Sequence, residues 1–225
     1  MRKSPAIAAT LALLFMSRLV ALAEDTDRVL RSPPIDFLTS KKAIEFSLSD
    51  LQQVGDSANP SDEVYVKSLG FVSLTETSSA KAGPEVRVFV VPSTGLKNFL
   101  PQEDPNKLLI NTHEIIIPIL VNGAPRSSLT LGEPDEKRQW RILRKGLPDL
   151  IRLIERYRTS EVNSLVVIPR LGLKFLDDRQ NGTLVLIPLQ NSLSLNLEAG
   201  HPILAQEVFA LISEMLKKMP GSVQP

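Results

Sequence analysis

From Ile35 onward, short apolar runs alternate with polar turns, and one pattern of positions occurs twice. Phe89-Val90-Val91-Pro92 is followed by Ser93-Thr94-Gly95-Leu96-Lys97-Asn98-Phe99-Leu100. Val166-Val167-Ile168-Pro169 is followed by Arg170-Leu171-Gly172-Leu173-Lys174-Phe175-Leu176. With Asn98 taken as a one-residue insertion, both copies read apolar run, proline, two residues, Gly-Leu-Lys, Phe-Leu. Proline carries no amide donor and ends a ladder. Glycine then lets the chain pivot. Each copy therefore predicts a strand, a kink and a second strand. A further apolar run ending in proline follows each, at Ile115-Ile116-Ile117-Pro118 and Leu184-Val185-Leu186-Ile187-Pro188. The doubling suggests two related lobes, 35–131 and 138–220; chance likeness of proline-ended strands is the alternative.

The remaining pattern fills in the elements. Ile44, Phe46 and Leu48 alternate with Glu45, Ser47 and Ser49, which predicts a half-buried strand. Ser49 with Gln52 offers one short helical turn through Val54 instead. Val64 to Thr75 is rich in branched and aromatic residues and predicts a strand with a bend at Gly70. Asn122-Gly123 and Asn181-Gly182 are hairpin turns. Strands are expected over 86–91, 126–131, 139–144, 162–168, 173–178 and 183–189, with Leu108 to Val121 as a long apolar stretch. Leu193, Leu195 and Leu197 alternate with Ser194 and Asn196, which predicts a short edge strand. Two stretches have helical period, about 148–158 and 203–219. Pro148 suits a first helical position, and Lys217 and Lys218 complement a carboxyl end before Pro220-Gly221. Strands joined by hairpins with helices set apart make an α+β fold, mostly antiparallel sheet with two packing helices.

The first 23 residues break this pattern. Arg2 and Lys3 precede an apolar core from Ala6 to Met16, and Ala21-Leu22-Ala23 fits a cleavage site, so 1–23 reads as a signal peptide cut after Ala23. The core is too short to span a membrane, and Arg18 interrupts it. An uncleaved anchor is the alternative. Residues 24–34 are polar and end in Pro-Pro, a flexible lead-in to an exported domain over 35–220. The expected location is the periplasm or the exterior, with no transmembrane segment in the mature chain. Cleavage removes three basic residues and no acidic one, so the formal charge of +1 becomes −2. A near-neutral chain argues against nucleic acid as a partner. Cysteine is absent, so the fold uses no disulfide.

Candidate chemistry is sparse. His113-Glu114 runs straight into Ile115-Ile116-Ile117, so the helical zinc pattern fails. His201 precedes Pro202 at a helix entrance and reads as a cap or surface group. No serine sits in a glycine-flanked elbow, and no phosphate-binding glycine loop occurs. Ser127-Ser128 with Lys97 or Lys174 is conceivable as a serine–lysine pair, but no spacing supports it. Asp177-Asp178 and Glu133, Asp135, Glu136 read as solvated turn acids; paired carboxylates would need a cleft at a defined separation. No catalytic residue, metal site or cofactor is assigned.

One charge feature stands out. Between Lys137 and Arg158 lie eight basic residues and two acidic ones. Arg152 and Arg156 share a helical face, and Trp140 and Tyr157 could stack on a ligand or an arginine. Arg138, Trp140, Arg141, Arg144, Arg152 and Arg156 form the candidate binding face, with an acidic envelope component or an acidic protein as partner. A solvated face whose charges never converge is the plain alternative. The sequence points to an exported, soluble binding or assembly protein of the cell envelope without an evident catalytic centre. Two other classes stay open. One is an envelope-polymer hydrolase using carboxylates or a serine–lysine pair. The other is a periplasmic chaperone or export-machine component, which would show an exposed apolar groove, with strand addition at Leu193–Leu197 as one route.

Overall fold

The computed structural model describes residues 36–57, 59–134, 139–159 and 164–218. The expected signal peptide, the lead-in over 24–34, and Asp135, Glu136, Lys137 and Arg138 lie outside the described residues. Ten strands form one sheet: β1 (Asp36–Phe37), β2 (Ala80–Ala82), β3 (Val86–Val90), β4 (Ile110–Val121), β5 (Ala124–Gly132), β6 (Trp140–Lys145), β7 (Leu165–Ile168), β8 (Leu173–Gln180), β9 (Thr183–Pro188) and β10 (Ile203–Leu204). Six helices accompany them: α1 (Ser40–Gly55), α2 (Pro60–Ser68), α3 (Leu74–Thr77), α4 (Ser93–Lys97), α5 (Pro148–Tyr157) and α6 (Ala205–Lys218). The sheet order is β1-β6-β5-β4-β3-β7-β8-β9-β10, with β2 also on β4. Among the described strands only β3 and β7 pair in parallel. The fold is α+β and mostly antiparallel.

Alternation along the strands decides which helix covers which face. Ile115, Ile117 and Ile119 of β4 join Leu129 and Leu131 of β5 under α1 and α2, whereas Ile116 joins Val86 and Val88 beneath α5. On β7 to β9 the same rule sends Val166, Phe175, Leu184 and Leu186 to α6, and Leu165, Leu176 and Ile187 to Ile151 and Ile154 of α5. So α5 lies on one face. The other carries α1–α3 over one half and α6 over the other. Both hairpin turns form as expected. Asn122 and Gly123 have φ of 50° and 79°, and Asn181 and Gly182 have 52° and 82°, the positive pair a tight twisted hairpin needs.

Two expected strands are helices. α1 replaces the strand over Ile44, Phe46 and Leu48. Thr39 caps it, accepting from Lys42 N at 3.2 Å, and Ala43, Ser47 and Leu51 form the buried stripe at fourfold spacing. Ile44 and Leu48 flank that stripe half-buried, while Phe46 points outward. α2 and α3 replace the strand over Val64 to Thr75. Asn59 caps α2 and accepts from Ser61 N at 3.1 Å; Pro60 opens it, Asp62 and Glu63 sit in its first turn and Lys67 in its last. End signals outweighed the branched residues between them.

The doubled motif is used differently in its two copies. Its first strands, β3 and β7, lie side by side with Phe89 opposite Val166. After β3 the chain makes α4, with Gly95 inside it against Leu108, and reaches β4 through a 3-10 turn at Pro105–Leu108. After β7 a single 3-10 turn, Pro169–Leu171, ends at Gly172 with φ of 64° and returns directly into β8. The strand-kink-strand unit therefore describes the second copy alone. In the first, Leu96 and Phe99 leave the sheet to pack against α6, where Ser213 Oγ donates to Phe99 O at 3.3 Å.

Candidate binding grooves beside Leu193

The segment from Leu189 to Leu204 joins β9 to α6, and it does not form the expected edge strand. Leu193–Leu195 is a 3-10 turn, closed by Asn196 in the left-handed region at φ of 50°. Ser192 and Leu197 exchange backbone hydrogen bonds, each 2.9 Å, across the base of that turn. A left-handed residue between Leu195 and Leu197 breaks the twofold repeat of a strand. Both leucines still turn inward, joining Val208, Phe209 and Ile212 in the core. Leu193 does the opposite and is 99% exposed.

The segment is tied down along its length. Gly200 N donates to Pro188 O at 2.9 Å, Ala199 N to Asn191 Oδ1 at 2.8 Å and Gln190 Nε2 to Gly172 O at 3.1 Å. Gly200 has φ of 82° and lies close against the Tyr157 ring; a Cβ there would stand 2.6 Å from Cε1. Tyr157 thus fixes the segment to the end of α5. A fully exposed leucine is presented by a loop with a defined shape.

Leu193 divides two open grooves. One, of about 580 Å³, runs between the turn and Leu211, Glu214, Met215 and Lys218 of α6. The other, of about 530 Å³, is bordered by Asn191, Leu197, Glu198, His201 and Ile203. Leu211, which lines the first groove, is 47% exposed, so the outer side of α6 carries apolar surface next to Leu193. His201 Nδ1 lies 3.1 Å from Glu198 Oε2 at the rim of the second groove, with both side chains exposed.

The basic segment has a different arrangement. Trp140 and Ile142 are half-buried against the core beneath α1. Arg141 is half-buried, in register with Asp36 and Gly132. Lys145 turns to the α1 face, where Nζ binds Asp50 Oδ2. Arg152 binds Asp149 at 2.5 Å on the open surface. Arg158 Nη1 lies 3.4 Å from Glu155 Oε1, with its side chain mostly buried. Arg144 and Arg156 are exposed. Among the described residues Lys145, Arg152 and Arg158 therefore each have an acid beside them.

The other candidates are placed as follows. His113 stands in a bulge of β4 with φ of 59°, and its Nδ1 lies 3.1 Å from Glu133 Oε2. Asp177 and Asp178 are neighbours on β8. Asp177 accepts from Ser164 N, and burial pushes its carboxyl above the usual range. Asp178 accepts from Arg179 N at 2.8 Å. Ser128 Oγ donates to Gly146 O, which ties β5 to the start of α5. Among the described residues no group of three or more histidines and acids is placed to hold a metal ion. Nor is any described helix long and apolar enough to cross a membrane. No family model matches the chain, and neither the curated proteins nor the solved structures compared with it show a match.

Proposed function

We propose that this is an exported binding protein that takes up an apolar segment of a partner polypeptide in the grooves on either side of Leu193. The carrying observation is the exposure of Leu193 at 99% on a hydrogen-bonded turn between those grooves. Exposed leucines are common singly, but here Leu211 and the half-buried Met215 extend the apolar surface. Apolar patches of this kind, rimmed by polar groups, mark interaction sites. Holding the turn in shape before binding lowers the ordering cost of association. The reading belongs to the chaperone or assembly class, and it replaces strand addition with a groove, because residues 193–195 have no free strand edge. Export rests on the signal pattern of residues 1–23.

The test is Leu193→Asp with an apolar reporter peptide. Leu193 packs against little, so its loss shifts folding stability by no more than about 0.5 kcal/mol. As a central anchor its loss weakens peptide binding by about thirtyfold. Arg144→Glu with Arg156→Glu leaves that binding unchanged. Binding that survives Leu193→Asp, or that falls with the arginine pair alone, refutes the groove and returns attention to the basic segment.

A further inference from the structure

Resting on that groove reading, we infer that the groove between Leu193 and α6 takes a second copy of this chain. Two copies pack their α6 helices antiparallel about a twofold axis, and Leu193 of each enters the groove of the other. The argument is self-complementarity. A twofold contact joins one patch to itself, so each feature of the patch must find its complement within that same patch. This patch holds both members of two such sets. In shape, Leu193 is a knob, 99% exposed, and it stands on the wall of a groove of about 580 Å³. In charge, Glu214 and Lys218 line that groove one helical turn apart on α6. Both are exposed, and among the described residues neither is in an ion pair.

The order of these charges sets the orientation. Four residues of helix separate them by about 6 Å along its axis. In an antiparallel pair whose twofold axis passes midway between them, Glu214 of each copy faces Lys218 of the other, and two ion pairs close the contact. The half-buried Met215 lies beside that midpoint, and Leu211, one turn before Met215, is 47% exposed; both line the groove and supply its apolar surface. A parallel arrangement sets acid against acid and base against base. A wholly acidic or wholly basic segment pairs with one of the two charges and faces the other with its own sign. Overall charge does not hold two copies apart: it is +1 for the chain and −2 once residues 1–23 and their three basic groups are removed. A contact confined to one groove falls at the small end of interfaces, so the dimer is weak and exchanges with an apolar peptide for the same surface.

The experiment is sedimentation of the folded chain 24–225 from micromolar to millimolar concentration, with the apolar reporter peptide as competitor. The expected result is a monomer–dimer equilibrium that the peptide shifts towards monomer. Leu193→Asp weakens self-association by about thirtyfold. Glu214→Lys and Lys218→Glu, each alone, put like charges at both ion pairs and weaken it by about tenfold at low ionic strength. Mixing the Glu214→Lys chain with the Lys218→Glu chain restores association, because each then meets the opposite charge on the other. An ion pair closed within a single α6 predicts no such rescue. A chain that stays monomeric throughout, while Leu193→Asp still loses the reporter peptide, overturns the dimer and leaves the groove standing. A dimer that Leu193→Asp does not weaken, or single charge variants that mixing does not rescue, also overturn the inference. A chain that neither self-associates nor binds the peptide overturns both readings.

Discussion

The segment from Trp140 to Arg158 and the segment from Gln190 to Lys218 are each a connection leading into an amphipathic helix on the sheet, and they treat their conspicuous residues in opposite ways. The first is rich in charge, and the fold satisfies much of it internally. Lys145 finds Asp50, 95 residues away in sequence, and Arg152 and Arg158 use acids three residues back on their own chain. The second is rich in leucine. It buries Leu195 and Leu197 but holds Leu193 out in water. A run of like charges is cheap to leave on a surface or to neutralise. A fully exposed leucine on an ordered turn is not explained by stability, because burying it would contribute about 1.5–3 kcal/mol. The difference teaches that a charge run the fold partly neutralises says less about a partner than one apolar side chain kept out of the core.

Four substitutions sharpen or break this contrast. The largest effect is expected at the platform under the ridge. Phe209 is buried and meets Phe99 edge-to-face at 5.8 Å and 89°. Phe209→Ala should cost about 3–5 kcal/mol in denaturant unfolding, and a cost near zero would mean that α6 is not the support described. Gly200→Ala comes next. Its positive φ and the Tyr157 ring together predict a loss of about 2 kcal/mol, with peptide binding weakened because the loop must move. An unchanged melting temperature would show that Tyr157 does not fix the segment. In the basic segment Lys145→Ala should lose about 1 kcal/mol, since Lys145 is 15% exposed in its pair with Asp50 while Asp50 itself is 41% exposed. Arg152→Ala should lose no more than about 0.3 kcal/mol on the open surface. Equal losses at the two sites would erase the distinction between a pair that ties β6 to α1 and one that is merely adjacent.

A fifth substitution probes the dependence on pH. Burial, more than any neighbour, raises the Asp177 carboxyl above its ordinary value, although the Ser164 amide and Arg179 pull the other way. The folded chain then holds that proton more tightly than the unfolded chain. The charged form is a penalty at neutral pH, and it disappears as pH falls below the ordinary carboxylate range. Asp177→Asn should therefore stabilise the protein at pH 7 and have little effect at pH 3. Destabilisation at pH 7 would mean that the carboxylate is needed charged.

Local chemistry wrote much of the fold into the sequence. The two Asn-Gly hairpins needed only positive φ at adjacent positions. α5 and α6 needed only their apolar stripes, and the strands from β3 to β9 only short branched runs between turn residues. The two expected strands that form helices failed for one reason. Ile44, Phe46 and Leu48 match a strand when read at every second residue, but a cap at Thr39 and a stripe through Ala43, Ser47 and Leu51 make the same residues a helix. Val64 to Thr75 failed similarly, because the deciding signals lay at Asn59 and Pro60, outside the branched run. Periodicity over a few residues fits both repeats, and the sheet available to pack against decides between them.

The candidate site was less legible than the fold. Leu193, Leu195 and Leu197 stood out in the sequence, yet nothing local separates the one exposed leucine from the two buried ones. That depends on Asn196 turning left-handed, on Gly200 meeting Tyr157 and on α6 closing over Leu195. Likewise, eight basic residues in a row of twenty-two are plain in the sequence, but the acid opposite Lys145 of β6 is on α1. The sequence alone determined the strands from β3 to β9, the two Asn-Gly turns and the two clear helices, because those follow from neighbours along the chain. Which side chains meet water, and which charges meet a partner, only the tertiary structure decided, because both depend on residues brought together from distant positions.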